Sequence, residues 1–204
     1  IGSLALLENI ELPLSPVLAH MEKEGFRIDT EALRSFGERL ATEMVLLTEN
    51  IIAHAGMEFN INSPKQLGEI LFDTLALPHA KKTKTGYSTD AETLQKLATT
   101  HPIIEEILDY RQVTKLKSTY ADGLAKAADG EGRVHSMFNQ TGTATGRLSS
   151  AEPNLQNIPT RTDLGSEIRR MFIPAEGCVM VDADYSQIEL RLLAHIANDE
   201  TMKA

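Results

Sequence analysis

The feature that most constrains the fold is a long apolar stripe between residues 30 and 55. Its apolar residues recur every three or four positions, which is the spacing of one face of an α-helix. They are Leu33, Phe36, Leu40, Met44, Leu47 and Ile51. Asp29 precedes the stripe as a potential N-cap, and Gly56 follows it as a potential stop. The pattern predicts a helix from about Thr30 to Ala55, and its apolar face needs other elements to pack against.

Further helices are predicted on both sides of this one. A helical pattern over residues 10–28 is ended by Gly25, just before a short apolar stretch. Capping boxes and first-turn prolines indicate later helix starts, because such residues suit the unpaired N–H groups of a first turn. The residues concerned are Ser63, Pro64 and Gln66, then Thr89 and Glu92, then Pro102.

The chain changes character after Gly130. Residues Val134 to Asn139 alternate as a strand does, and the glycine- and threonine-rich run TGTATGRLSS follows them. These features indicate a boundary near Gly130. They predict an α+β fold in which a mainly helical part packs beside a small antiparallel sheet.

Composition argues against several classes of protein. The formal net charge of -9 argues against a protein that coats nucleic acid by overall attraction, so any DNA contact must come from local patches. The single cysteine, Cys178, excludes an intramolecular disulfide. No apolar run is long enough to cross a bilayer and no signal-peptide pattern is present, so a soluble cytoplasmic protein is expected. The apolar start, Ile1 to Leu7, is typical of a segment from within a longer chain.

A change of period marks the stretch near the C-terminus. From Cys178 to Asp184 the residues alternate, which predicts a buried strand with Asp182 and Asp184 on one side. From about Ser186 apolar residues recur every four positions, which predicts an amphipathic helix. Carboxylates that converge at a strand end suit a hard divalent cation such as Mg²⁺, because they repel one another unless a cation lies between them.

Several motifs together resemble family A DNA polymerases, the bacterial DNA polymerase I group. DYSQIELR followed by LLAH is similar to the first palm motif of that family, and TATGRLSSAEPNLQNIPTR, from Thr143 to Arg161, is similar to the segment that leads into it. FNINSPKQLGEILF and YRQVTKLKSTY resemble the thumb of the family. The likeness runs from about Ile10 to the C-terminus. It implies a helical thumb at residues 31–132, inserted in a partial palm made of residues 1–30 and 133–204.

The resemblance implies a function in template-directed deoxynucleotidyl transfer, in bacterial DNA replication and repair near the nucleoid. The implied partners are primer–template DNA and deoxynucleoside triphosphates, and the implied cofactor is a pair of Mg²⁺ ions. A polymerase of this family should also have fingers and a second palm motif. Neither is found here, so this piece alone is expected not to polymerise. A cut palm sheet would leave unpaired backbone groups, which predicts self-association.

The same resemblance implies roles for residues of the palm motif. Asp184 would bridge the two Mg²⁺ ions, and Tyr185 would add its backbone carbonyl and pack below the incoming sugar. Ser186 and Gln187 would contact the nucleotide, while Glu189 would exclude a ribose 2′-hydroxyl. Two local alternatives exist. Asp184 could cap the following helix, and Glu189 could form a capping box with Ser186.

The segment before the palm motif is implied to check base-pair geometry at the primer end. Arg147 would donate to minor-groove acceptors that every correct base pair presents in similar places. Asn154, Gln156 and Asn157 would extend this check. The alternatives are that Arg147 extends into solvent and that the three amides satisfy the loop backbone.

One face of the last long helix is implied to hold the DNA backbone, since ammonium and hydroxyl groups bind phosphates without reading bases. The residues are Lys115, Lys117, Ser118 and Thr119. An ordinary solvated surface is the alternative. A basic loop, KKTKTGYST, is either a solvated hairpin-like tip or a second phosphate contact. Its lysines are Lys81, Lys82 and Lys84.

Two other function classes are compatible with parts of the sequence. A DxD motif after an apolar strand also occurs in haloacid-dehalogenase-like phosphatases, but that fold needs most of its parallel sheet after the motif, and only some twenty residues follow here. The chain could also act as a non-catalytic DNA-binding or helical interaction module. Primer–template binding without extension would then be its whole activity.

Overall fold

The computed structural model describes residues 3–78, 82–83, 86–160 and 162–203. The chain divides into two compact units, Ile1–Ile173 and Pro174–Ala204. The helices of the first unit are α1 (Ser3–Leu6), α2 (Leu12–Glu24), α3 (Thr30–Ala55), α4 (Pro64–Gly68), α5 (Ala91–Leu97), α6 (Pro102–Lys115), α7 (Gly123–Ala127) and α8 (Asp163–Arg170). π-Helical segments cover Leu7–Glu11, Glu69–Thr74 and Leu116–Asp122. The strands are β1 (Phe26–Arg27), β2 (Lys82–Thr83), β3 (Gly86–Tyr87), β4 (Arg133–Val134), β5 (Met137–Asn139) and β6 (Ser149–Ala151).

Helix α3 has the bounds that the sequence predicts. The Asp29 carboxylate accepts a hydrogen bond from the Ala32 N–H at 2.9 Å, so it is the N-cap. Gly56 adopts a left-handed conformation with φ 71° and donates to the Ile52 carbonyl at 2.9 Å, which ends the helix. Local capping chemistry at both ends explains why this prediction is confirmed.

The apolar stripe of α3 contributes to two hydrophobic cores. Near its start Leu33, Phe36 and Leu40 pack in one core, and near its end Ile51 packs in the other. The first core also contains Val113, Leu116, Tyr120, Leu124, Val134 and Ile168. The second also contains Leu67, Leu71, Leu94, Ile103, Ile104 and Ile107. Since each fully buried aliphatic or aromatic side chain contributes about 1.5–3 kcal/mol, α3 stabilises both cores of the first unit.

Short antiparallel strand pairs complete the first unit, and the α+β prediction is confirmed. β1 pairs with β4, with Phe26 opposite Val134, and β5 pairs with β6, with Phe138 opposite Ser150. The β1–β4 pair joins the chain before α3 to the chain after α7. The helical body from α3 to α7 is therefore inserted between two paired strands.

The predicted strand over Val134 to Asn139 is interrupted in its middle. It forms β4 and β5, which have different partners, and His135 and Ser136 lie between them. Ser136 is buried, and its hydroxyl is 2.6 Å from the buried hydroxyl of Ser150. Alternation of residue types could not reveal this change of partner.

Two capping predictions need correction. The N-cap of α5 is Asp90, whose carboxylate accepts from the Thr93 N–H at 2.7 Å, and not Thr89, which is buried. At α4 the Ser63 hydroxyl accepts from the Gln66 N–H, but the Gln66 amide accepts from the Asn60 N–H at 2.7 Å, so the reciprocal half of the box is not formed. In both cases a neighbouring polar group competes for the same role.

The basic loop is a hairpin where it is described. β2 and β3 pair in antiparallel fashion, with Lys82 opposite Tyr87 and Thr83 opposite Gly86. Lys81 and Lys84 lie outside the described residues, so a phosphate contact by this loop remains a prediction. The predicted helix over residues 10–28 corresponds to α2, which Gly25 ends at φ 61°.

The second unit contains α9 (Ile188–Ala197) and α10 (Glu200–Lys203). The predicted strand from Cys178 to Asp184 is wrong, because this stretch has no regular structure. Val179 and Val181 are each 80% exposed, and Cys178 is exposed. A strand needs a neighbour for its N–H and C=O groups, and no described residue of this unit pairs with the stretch. Alternation marked a potential strand, but only pairing makes one.

Among the helices in the described ranges, none combines the length and the apolar character that a bilayer-spanning segment requires.

Candidate nucleic-acid interface

Two segments of the first unit that are distant in sequence line one open groove of about 1030 Å³. One wall comes from the end of α6, the π-helical segment after it and α7. The other wall is the loop that follows β6. The polar and charged lining residues are Lys115, Thr119, Tyr120, Lys126, Glu152, Asn154 and Asn157.

The helical wall presents cationic and hydroxyl groups. Lys115 and Thr119 are four residues apart, so they lie on the same side of a helix, and both are exposed. Lys126 is also exposed and joins them in the groove, although sequence reasoning missed it. It lies eleven residues after Lys115, close to three turns of an α-helix, and this spacing was the signal that could have found it.

The four helix residues predicted to hold DNA do not share one face. Lys117 is two positions from Lys115, which turns its side chain to another side of the helix. Its ammonium group pairs with the Asp122 carboxylate at 2.7 Å, and it lines a separate surface groove beside Val45 of α3. The Ser118 hydroxyl donates to the Thr114 carbonyl at 2.8 Å. The single-face prediction is wrong, because a helix does not align consecutive positions, and DNA contacts by Lys117 and Ser118 remain predictions.

In the loop wall, Gln156 serves the backbone. Its side-chain oxygen accepts from the Ser150 N–H at 3.2 Å, and its side-chain nitrogen donates to the Leu148 carbonyl at 3.0 Å. The Asn154 side chain accepts from the Gln156 N–H at 3.0 Å. Both the oxygen and the nitrogen of the Gln156 side chain therefore satisfy loop backbone groups, which is the alternative raised from the sequence. Asn154 and Asn157 line the groove, whereas Gln156 is not among its lining residues.

Hydrogen bonds with buried hydroxyl groups hold the loop wall in place. The Ser150 hydroxyl accepts from the Leu155 N–H at 3.0 Å, and it is itself buried against Ser136. From the opposite wall, the Tyr120 hydroxyl donates to the Asn157 carbonyl. Burial raises the pKa of Tyr120, so its phenol stays protonated and remains a donor at neutral pH.

Arg147 lies elsewhere in the first unit. It is exposed, it follows Gly146 at φ 77°, and its carbonyl accepts from the Thr143 hydroxyl at 2.6 Å. The positive φ is a conformation that favours glycine, so Gly146 makes the turn that displays Arg147. Arg147 is not one of the residues that line the groove.

The second unit presents the residues of the DYSQIELR motif on its surface. Asp184 is exposed, and its carboxylate accepts from the Tyr185 N–H at 2.8 Å. Tyr185 is 78% exposed. Helix α9 begins at Ile188, so the predicted start near Ser186 is two residues early. The motif residues before Ile188 are therefore not part of α9, and the stretch that precedes them has no regular structure.

Neither capping alternative holds for the DYSQIELR motif. The N-cap of α9 is Gln187, in a left-handed conformation with φ 54° and with no side-chain capping bond, so Asp184 does not cap this helix. Glu189 occupies the second helical position, which is not the position that closes a capping box. Ser186 and Gln187 instead contribute their carbonyls, which accept from Arg191 at 2.9 and 3.0 Å.

The donor set around Asp184 fits Mg²⁺ in kind but is incomplete in number. A carboxylate and the nearby Tyr185 carbonyl are hard oxygen donors, which Mg²⁺ prefers. Within the described ranges, no three His, Cys, Asp or Glu side chains come together as a metal site. Mg²⁺ is commonly held by one or two carboxylates together with water and substrate phosphates, so such a partial set is compatible with a substrate-dependent site.

Comparison with known protein families gives a match to DNA polymerase family A over residues 30–204. DNA polymerase I of Caldicellulosiruptor bescii is 56% identical over 198 residues, which are 97% of this chain and 23% of that protein. The thermostable DNA polymerase I of Thermus aquaticus is 54% identical over 200 residues, again 97% of this chain, and 24% of that protein. The chain thus spans about a quarter of the length of these relatives.

A solved structure is also similar. The POL domain of Pol1 from M. smegmatis, in complex with DNA primer-template and dNTP, matches with a TM-score of 0.88 and 46% sequence identity. The match covers 97% of this chain and 35% of that one. These similarities favour the polymerase resemblance over the phosphatase alternative.

Proposed function

Because this chain belongs to DNA polymerase family A, we propose that it holds primer–template DNA for template-directed deoxynucleotidyl transfer. In this proposal residues 31–132 are the thumb, and residues 1–30 and 133–204 are parts of the palm. The proposed activity serves replication or repair of DNA in a bacterial cytoplasm near the nucleoid, since the relatives compared above are bacterial. We expect this piece to bind DNA but not to extend a primer alone.

The observation that carries the proposal is the groove between the α6–α7 region and the loop after β6. Lys115 and Lys126 supply two positive charges against the one carboxylate of Glu152, so the groove lining carries an excess of positive charge on a chain whose net charge is -9. Ammonium groups bind phosphate oxygens and fix the position of a duplex without reading its sequence. Thr119 can add a hydroxyl contact of the same kind.

The opposite wall offers two neutral amides beside the Glu152 carboxylate. Asn154 and Asn157 carry amides that can donate to the acceptors of the DNA minor groove, which lie in similar places in every correct base pair. We assign the same kind of contact to Arg147 and Gln156 on the strength of the family motif. Such contacts test base-pair geometry and not sequence, as a polymerase that copies any template requires.

In the second unit, Asp184 and the Tyr185 carbonyl would hold Mg²⁺. Bound metal of this kind lowers the pKa of a primer hydroxyl and neutralises charge on phosphate oxygens. The Tyr185 ring would lie below the incoming sugar, with Ser186 and Gln187 beside the nucleotide. Glu189 would occupy the space that a ribose 2′-hydroxyl needs and so select deoxynucleotides.

Binding of labelled DNA, followed by fluorescence anisotropy, tests the groove. We expect a primer–template junction to bind more tightly than a single strand of equal length. Lys115→Ala and Lys126→Ala should each weaken binding at low salt and reduce the slope of log affinity against log salt by about 1. Lys96→Ala is the matched comparison, since it removes the same charge from an exposed lysine of α5 that does not line the groove. Equal losses from Lys115→Ala and Lys96→Ala would overturn the assignment.

The proposed role of Glu189 in nucleotide selection has to be tested in a complete polymerase that carries this segment. Glu189→Ala there should raise the ratio of ribonucleotide to deoxynucleotide incorporation. An unchanged ratio would remove Glu189 from the proposal without affecting the DNA groove.

Self-association also remains a proposal. Apolar side chains of α9 are exposed, including Leu192 at 55% and Ile196 at 79%, and water-exposed apolar surface favours association. Analytical ultracentrifugation that finds only monomer at high concentration would contradict it.

A further inference from the structure

We propose that Tyr120 is a positioning residue that sets the geometry of the DNA groove by holding its two walls together. The inference rests on the proposed function of the groove and adds the element that keeps it in a binding-competent shape. Tyr120 need not touch DNA for this. It acts through the loop that carries Asn154 and Asn157.

Tyr120 is built into both the core and the groove. Its side chain is only 3% exposed and packs in the core that contains Phe36, Leu40 and Val113. A ring packed this closely has few accessible orientations, so the direction of its hydroxyl is defined. That hydroxyl donates to the Asn157 carbonyl, 37 residues further along the chain.

The hydrogen bond joins the two walls that carry different chemistry. Tyr120 follows Thr119 directly and lies five residues after Lys115, whereas its acceptor belongs to the loop with the two amides. The buried phenol therefore bonds the wall with the ammonium groups directly to the loop with the amides and constrains the spacing between them. A duplex that contacts both walls requires this spacing to match the distance from phosphate to minor groove.

Tyr120→Phe is the test, because it keeps the ring and removes the hydroxyl. Loss of one neutral hydrogen bond should weaken junction binding by about two- to tenfold. The salt slope should stay unchanged, since no phosphate contact is lost. Tyr110→Phe is the matched control. Tyr110 is also buried, and its hydroxyl accepts from the Asn62 side chain at 3.1 Å, but it is not one of the groove residues. We expect it to leave junction affinity unchanged.

A double-mutant cycle separates positioning from a merely structural effect. The second change is the pair Asn154→Ala and Asn157→Ala, which removes the amides but keeps the carbonyl that Tyr120 holds. If Tyr120 positions these amides, Tyr120→Phe should add little once they are gone. Fully additive losses would overturn the assignment. All variants are compared below their unfolding midpoints, as followed by circular dichroism, so that only folded chains are counted.

The cycle also distinguishes failure of the inference from failure of the proposed function. If Lys115→Ala and the double amide variant both leave junction binding unchanged, the groove does not bind DNA and both proposals fall. If those variants weaken binding and Tyr120→Phe does not, only the role of Tyr120 falls. A loss from Tyr110→Phe equal to that from Tyr120→Phe would have the same meaning.

Discussion

Gly25 is the residue whose replacement should most clearly disturb the junction between the strands that flank the helical insertion. It ends α2 with φ 61° and ψ -170°, a combination essentially confined to glycine. A Cβ atom built at this position would lie 2.7 Å from the Val134 carbonyl oxygen and 2.7 Å from Nδ1 of His135. Gly25→Ala therefore introduces both backbone strain and a collision with β4.

The two effects have separate magnitudes. A residue forced into such a backbone region costs about 1–3 kcal/mol. Overpacking against a backbone oxygen that cannot move away costs a further 1–3 kcal/mol, roughly. We expect Gly25→Ala to lower the free energy of unfolding by about 2–6 kcal/mol, a large part of the typical total of about 5–15 kcal/mol. For a chain of this length, each kcal/mol lowers the unfolding midpoint by about 2–4 °C.

Gly56→Ala is the matched control, because it replaces another helix-ending glycine at positive φ. Gly56 has φ 71°, and a Cβ atom there would meet nothing within 4 Å. Only the left-handed conformation is penalised, by about 1–2 kcal/mol. Thermal and urea unfolding followed by circular dichroism would compare the two variants. Equal destabilisation would refute the reasoning, since it would mean that the contact with β4 adds nothing.

Three further predictions concern stability. The Asp129 carboxylate raises the pKa of His135, and backbone N–H groups with His135 hold the pKa of Asp129 at about 2, below its ordinary 3.8. The contribution of Asp129 to folding stability is present above its ordinary pKa and is lost as pH falls toward about 2. The contribution of His135 to folding stability is present below about pH 6.5 and is lost as pH rises through its raised pKa. Urea unfolding at several pH values would measure the stability difference between wild type and His135→Gln. This difference should be largest between about pH 4 and pH 6.5. A difference that does not vary with pH would contradict the prediction. Leu71→Ala should lower the free energy of unfolding by about 2–5 kcal/mol in the same assay, because the side chain is fully buried and its removal leaves a cavity. A loss under roughly 1 kcal/mol would mean that the surrounding side chains fill the cavity. Arg39→Ala should lower the free energy of unfolding by less than about 1 kcal/mol, since the Arg39 and Glu167 side chains are 61% and 37% exposed and water screens their ion pair. A larger loss would show that the ion pair is stronger than its exposure indicates.

Local chemistry explains which elements could be predicted. The bounds of α3 follow from Asp29 and Gly56, residues adjacent to the helix that they cap. The stop of α2 at Gly25 has the same origin. The capping prediction failed at Thr89, because the next residue, Asp90, makes the capping bond instead. Sequence spacing does not say which of two neighbours makes such a bond.

The candidate site was only partly accessible to the same reasoning. Lys115 and Thr119 could be identified as one helix face, since their spacing is a helical repeat. Their meeting with Asn154 and Asn157, and the bond from Tyr120 that joins them, link segments about 35 residues apart. No periodicity within either segment contains that information.

The amino-acid sequence by itself determined the family, the α+β class, the long helix and the identity of the motif residues. These depend on short runs of side chains that act on their own backbone or match a known pattern. Only the tertiary structure decided that β4 and β5 take different partners, that Lys115 and Asn157 line one groove, and that Cys178 to Asp184 is not a strand. Strand pairing and groove formation require groups distant in the chain to satisfy one another, and that condition is met in space and not along the sequence.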